Sequence, residues 1–87
     1  MYSVLVSETF QKEYNEFDKK FQKHIKNSLD YLKSDPFTPR SGADIIPIKE
    51  TKPQKYRLRV GNYRIVYRVE EKIVKVIEIF PRGRGYR

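Results

Sequence analysis

The sequence predicts an α+β fold: a two-helix hairpin packed on one face of a twisted antiparallel sheet, in the order β-α-α-β-β-β. Three observations carry that prediction. Apolar residues recur with a helical period through residues 8–34. β-branched and aromatic residues dominate "KYRLRV", "YRIVYRV" and "KIVKVIEIF". Turn-forming pairs separate those three runs at Gly61-Asn62 and Glu70-Glu71. With 87 residues the chain is expected to form one domain, 1–87, whose small core leaves little stability to spare.

Each element has a local cause. Tyr2 to Val6 alternates as a short strand does. Ser7 is placed to cap a helix starting at Glu8, on which Phe10, Tyr14 and Phe17 share a face. Asp18 is a second cap, and Phe21, Ile25, Leu29 and Leu32 continue the period to about Ser34. "SDPF" ends the helix, because a residue before proline avoids the α region. The stretch "DPFTPRSGADIIPIKETKP" then reads as a long loop with an extended piece at Ile45–Ile48. The three strands after it form a meander that the N-terminal strand joins.

Composition excludes several functions. There is no cysteine and one histidine, His24, so neither disulfides nor a thiolate or histidine-rich metal site is expected, and no cofactor is implied. "MYSVLV" lacks the basic flank of a signal peptide, and no apolar run approaches the roughly 20 residues needed to cross a bilayer. A soluble cytoplasmic protein without membrane contact is expected.

The net charge is +8, and its placement is one-sided. Residues 1–51 hold eight basic and eight acidic side chains, whereas residues 52–87 hold eleven basic and three acidic, with seven of the eight arginines. Such a field steers a polyanion to one surface, and arginine's planar fork suits phosphates and stacked bases.

Strand alternation places Tyr56, Leu58 and Val60 on one face and Arg57 and Arg59 on the other. Tyr63, Ile65, Tyr67 and Val69 likewise oppose Arg64, Val66 and Arg68. The apolar faces meet the helices, so Arg57, Arg59 and Arg64 project together from the open face, with Arg68 and Lys55 as further contacts for a nucleic acid. The last strand has two possible phases. If Ile77 and Ile79 enter the core, Glu78 joins the arginines, as a salt-bridge strut or as a proton acceptor. "FPRGRGYR" then delivers Arg82, Arg84 and Tyr86 to the rim, where glycines let them fold back over that face. The competing reading is a frayed basic tail.

"KYRLRVGNYRIVYRVEEKIVKVIEIFPRGRGYR", after two amphipathic helices, resembles the RelE/ParE superfamily of toxins from toxin–antitoxin pairs, most of all its RelE-type branch. The likeness spans nearly the whole chain and is most specific over Lys55–Tyr67 and Phe80–Tyr86. It implies metal-independent, ribosome-dependent cleavage of messenger RNA in the decoding site. Its implied partners are a cognate antitoxin protein and the ribosome with bound message, with DNA reached only through the antitoxin complex. It matches Arg57, Arg59, Arg64, Arg82 and Tyr86 to the family's catalytic positions, Arg84 less closely. Pro81 stands where close relatives often have histidine, and Glu50 where many have glycine.

Metal-free RNA cleavage needs a base for the 2′-hydroxyl, positive charge on the phosphorane and an acid for the leaving oxygen. Arginine supplies charge but, with a pKa above about 12, is a poor base. Tyr86 is the first candidate for proton transfer, Glu78 the second and Asp44 the third; His24, among lysines, reads as a surface residue. Phe10, Tyr14 and Phe17 are more rings than a small core needs, which points to an antitoxin helix covering them. The alternatives are a ParE-like inhibitor of DNA gyrase and a non-catalytic RNA-binding module, since one fold serves several functions.

Overall fold

The computed structural model describes residues 1–84. Strand β1 (Ser3–Val6) leads to helices α1 (Glu8–Asn15) and α2 (Lys19–Ser34), then to β2 (Asp44–Ile48), β3 (Lys55–Val60), β4 (Tyr63–Glu70) and β5 (Ile73–Pro81). The helices begin where the caps predict: the Ser7 side chain accepts from the Phe10 N–H at 2.9 Å, and Asp18 from the Phe21 N–H at 2.8 Å.

The sheet order is β1-β5-β4-β3-β2. β2 through β5 form an antiparallel run, while β1 lies parallel to β5 from Ser3↔Ile73 to Val6↔Val76, so the sheet is mixed. The extended piece within the predicted loop is a full edge strand, β2, giving five strands. Arg40 secures the rest of that loop. Its guanidinium donates to the carbonyls of Tyr31, Asp35 and Thr38, closing the end of α2. Gly42 has φ +86°, and a Cβ there would lie 2.6 Å from the Tyr31 ring, so the loop needs glycine at that point. Glu50 also has a positive φ of 61°.

The core lies between helices and sheet. Phe10, Ile25, Leu29 and Leu32 meet Ile45, Leu58, Val60, Ile65, Tyr67, Val74, Val76 and Ile79. Phe17, Phe21 and Tyr63 extend it as a ring cluster with centroids 4.9–5.4 Å apart. The expectation that Phe10, Tyr14 and Phe17 are surplus rings is therefore corrected. Phe10 is buried and Tyr14 and Phe17 pack against the core, so they serve folding and give no argument for a partner.

Candidate nucleic-acid interface

Strand register builds the open face in rows. Across the sheet, Asp44 stands opposite Arg59, Arg59 opposite Arg64, and Arg64 opposite Phe80. The next row runs Ile46, Arg57, Val66, Glu78, and the third runs Ile48, Lys55, Arg68, Lys75. Arg59 and Arg64 are thus cross-strand neighbours of like charge, an arrangement that opposes folding.

A β-bulge decides the phase of β5. Val66 pairs with Glu78 but Tyr67 pairs with Val76, so Ile77 is the extra residue. Before it, Val74 and Val76 enter the core; after it, Ile79 does, and Glu78 and Phe80 turn to the arginine face. Helix α1 holds this irregular edge. The Ser7 hydroxyl donates to the Ile77 carbonyl, the Ser7 N–H to the Val76 carbonyl at 2.9 Å, and the Ile79 N–H donates to the Glu13 carboxylate at 2.9 Å. Glu13 was not foreseen from sequence. Its partner lies 66 positions away, and no local pattern marks it.

Past β5, the Arg82 N–H donates to the Asn62 carbonyl at 2.9 Å, pinning the chain to the β3–β4 hairpin. Arg57, Arg59, Arg64 and Arg82 then share one electrostatic environment. The Arg64 guanidinium is held below its ordinary value first by partial burial and then by Arg57, Arg59 and Arg82, with Asp44 opposing. It remains a cation at neutral pH.

Carboxylates do reach this face, from neighbouring strands. Asp44 Oδ2 lies 3.8 Å from Arg59 Nε, an exposed and weak pair. Glu70 accepts from Arg68 at 3.3 Å and also pairs with Lys75. Glu78 Oε1 lies 2.9 Å from Arg84 Nη2. Among the described residues, Arg57, Arg64 and Arg82 make no ion pair. Val66 and Phe80 are buried here although neither belongs to the core cluster. Arg84 lies over Phe80, its Cζ 4.3 Å from the ring centroid.

The structure thus brings together Arg57, Arg59, Arg64 and Arg82, with Glu78 and Arg84 beside them. Lys55 and Arg68 face each other one row further on. Tyr86 lies outside the described residues. His24 is exposed on α2, as the sequence suggests. Among the described residues, no helix is long and apolar enough to cross a membrane.

A family model described as "ParE toxin of type II toxin-antitoxin system, parDE" matches residues 4–86. The chain belongs to the RelE/ParE superfamily of toxins. Among solved structures of this superfamily, a chain of the archaeal RelE–RelB complex from Pyrococcus horikoshii OT3 is 30% identical. It aligns over 97% of this chain and 98% of its own length, with a TM-score of 0.81. A chain of the RelB–RelE antitoxin–toxin complex from Methanococcus jannaschii is 27% identical over 90% of each chain, with a TM-score of 0.73. A chain of the intact E. coli RelBE toxin–antitoxin complex is 26% identical over 100% of each, with a TM-score of 0.62. These likenesses place the toxin in the RelE-type branch. No curated protein matches the chain.

Proposed function

We propose that this toxin, acting as one domain over residues 1–87, is a ribosome-dependent endoribonuclease that cleaves messenger RNA in the decoding site. The observation that carries the reading is the cluster of Arg57, Arg64 and Arg82, cations without an ion pair among the described residues, set around a sheet face that needs an external anion. In the reaction the 2′-oxygen attacks the adjacent phosphorus and the bond to the 5′-oxygen breaks, leaving a 2′,3′-cyclic phosphate and a 5′-hydroxyl. Arg57, Arg64 and Arg82 stabilise the phosphorane charge, with Arg59 supporting them. Lys55, Arg68 and Arg84 hold the flanking RNA.

Proton transfer is assigned first to Tyr86, since the Glu78 carboxylate is engaged by Arg84. The RelE–RelB complexes of the solved relatives support a cognate antitoxin as partner, and acidic residues on it would complement the arginine face. The ParE description of the family model favours a second reading, inhibition of DNA gyrase. The test is to add the purified toxin to message-programmed ribosomes and map RNA ends, with a gyrase supercoiling assay in parallel. New ends in the decoding site with unimpaired supercoiling are expected; the reverse pattern establishes the gyrase reading. Within the first outcome, Tyr86→Phe should lose about 10²–10⁴-fold if its proton is used and little if the ring only stacks.

A further inference from the structure

We propose that Glu78 is a positioning residue that holds the Arg84 guanidinium over Phe80, forming a platform on which a nucleobase of single-stranded RNA stacks. The proposal rests on the nuclease reading for its natural substrate, but its test reads stacking directly and does not need cleavage.

Among the described residues, two separate contacts hold Arg84. Its Cζ sits 4.3 Å from the Phe80 ring centroid, and its Nη2 lies 2.9 Å from Glu78 Oε1. The bulge at Ile77 is what turns both partners to this side of β5. Phe80 is only 1% exposed, whereas the Arg84 side chain keeps 36% of its surface accessible. The ring is thus a buried base for the guanidinium, and the Arg84 side chain above it is what solvent reaches. A planar cation backed by a ring on one side stacks a base on the other, which lysine does not do.

The charges show a division of labour. Glu78 offsets the charge of Arg84, which makes Arg84 a poor choice for attracting phosphate. Arg57, Arg64 and Arg82, with no ion pair among the described residues, are suited to that. Arg64 stands directly opposite Phe80 in the register, so a base on Arg84 has a phosphate-binding cation beside it.

The probe is a short single-stranded oligoribonucleotide carrying one 2-aminopurine among uridines and a terminal fluorescein, titrated into the purified full chain. Stacking quenches 2-aminopurine, and fluorescein anisotropy reports binding. Wild type is expected to quench saturably. Arg84→Ala should weaken binding about 5-fold or more, the size of one lost base stack. Glu78→Gln and Arg84→Lys should each cut the quench at saturation roughly 3-fold or more, and Glu78→Ala combined with Arg84→Ala should be no worse than Arg84→Ala alone. Arg84 follows the end of β5, and Glu78→Gln keeps the side-chain shape, so circular dichroism should show both folded.

An opposite sign is available. If Arg84 instead grips phosphate, Glu78→Ala releases its charge, tightens binding and steepens the salt slope by about one; that result overturns the proposal. So does unchanged quenching in Glu78→Gln, with or without a fall in cleavage, and so does an absence of wild-type quenching. Quenching that depends on Glu78 in a chain that never cleaves message removes the nuclease reading and leaves the platform standing.

Discussion

Toward the helices, β3, β4 and β5 present Leu58, Val60, Ile65, Tyr67, Val74, Val76 and Ile79, all buried; on the other side the same strands set Arg59 against Arg64 and bury only Val66 and Phe80. The helix side is satisfied within the chain. Even the fully buried Tyr67 hydroxyl donates to the Pro36 carbonyl at 2.7 Å, and burial holds that phenol well above its ordinary value. The open side is satisfied only in part: Asp44, Glu70 and Glu78 pair with some of its cations, but among the described residues Arg57, Arg64 and Arg82 have no ion pair. Folding explains one face, and the proposed function supplies the anion for the other.

The largest expected effect comes from breaking the helix side. Leu58→Ala should cost about 2–5 kcal/mol in urea unfolding, as for other large-to-small changes in packed cores. Arg57→Gln, one residue away on the opposite face, should leave the midpoint nearly unchanged. Equal losses in the two variants would erase the contrast between the faces.

Glu13 joins the two sides, so its loss should show in both. Glu13→Ala leaves the Ile79 N–H without its carboxylate and should cost about 1–3 kcal/mol. The bulge then loosens, and the Glu78–Arg84 pair should weaken with it. Glu13→Gln keeps an acceptor and should cost less; equal penalties would mean the hydrogen bond is not what matters.

Arg59→Gln sharpens the contrast in the opposite direction. Removing one of two like charges in direct register should raise stability by about 0.2–1 kcal/mol at low salt, a gain that shrinks as salt rises. A loss at low salt would show that Asp44 outweighs Arg64 as the neighbour of Arg59.

The smallest effect is acid sensitivity. Hydrogen bonds from Thr38 and Phe37 hold the Asp35 carboxyl below its ordinary value, and Lys75 with Arg68 does the same for Glu70. A depressed folded value means the stabilisation is present above the unfolded value and is lost as pH falls through the folded one. The urea midpoint should therefore stay level near neutrality and decline below the ordinary carboxylate range of about 4. Asp35→Asn should flatten that decline; an unchanged slope would exclude Asp35 as a source.

Much of this was legible because its causes are local. Ser7 and Asp18 cap helices through residues three positions on, and strict alternation in β3 and β4 assigns Arg57, Arg59 and Arg64 to one face. What was not legible depends on distant partners. β2 carries Pro47 and an exposed Ile46, as an edge strand can, and reads as loop until it pairs with β3. The parallel docking of β1 leaves no local trace. The side on which Glu78 lies stayed open because the bulge at Ile77 follows from register with β4 and from Ser7 and Glu13 on a helix far away in sequence. The rings of α1 misled for the related reason that a count of aromatics does not tell how much core the sheet provides.

The most direct test of the arginine face as the reacting surface is the single-turnover cleavage rate of Arg64→Gln on message-programmed ribosomes. Arg64 is central to the cluster, opposite both Arg59 and Phe80. The rate should fall about 10²–10³-fold, the usual loss on removing one preorganised charge stabiliser, in a protein whose urea midpoint equals or exceeds that of wild type. A wild-type rate, or a loss fully matched by unfolding, would contradict the assignment.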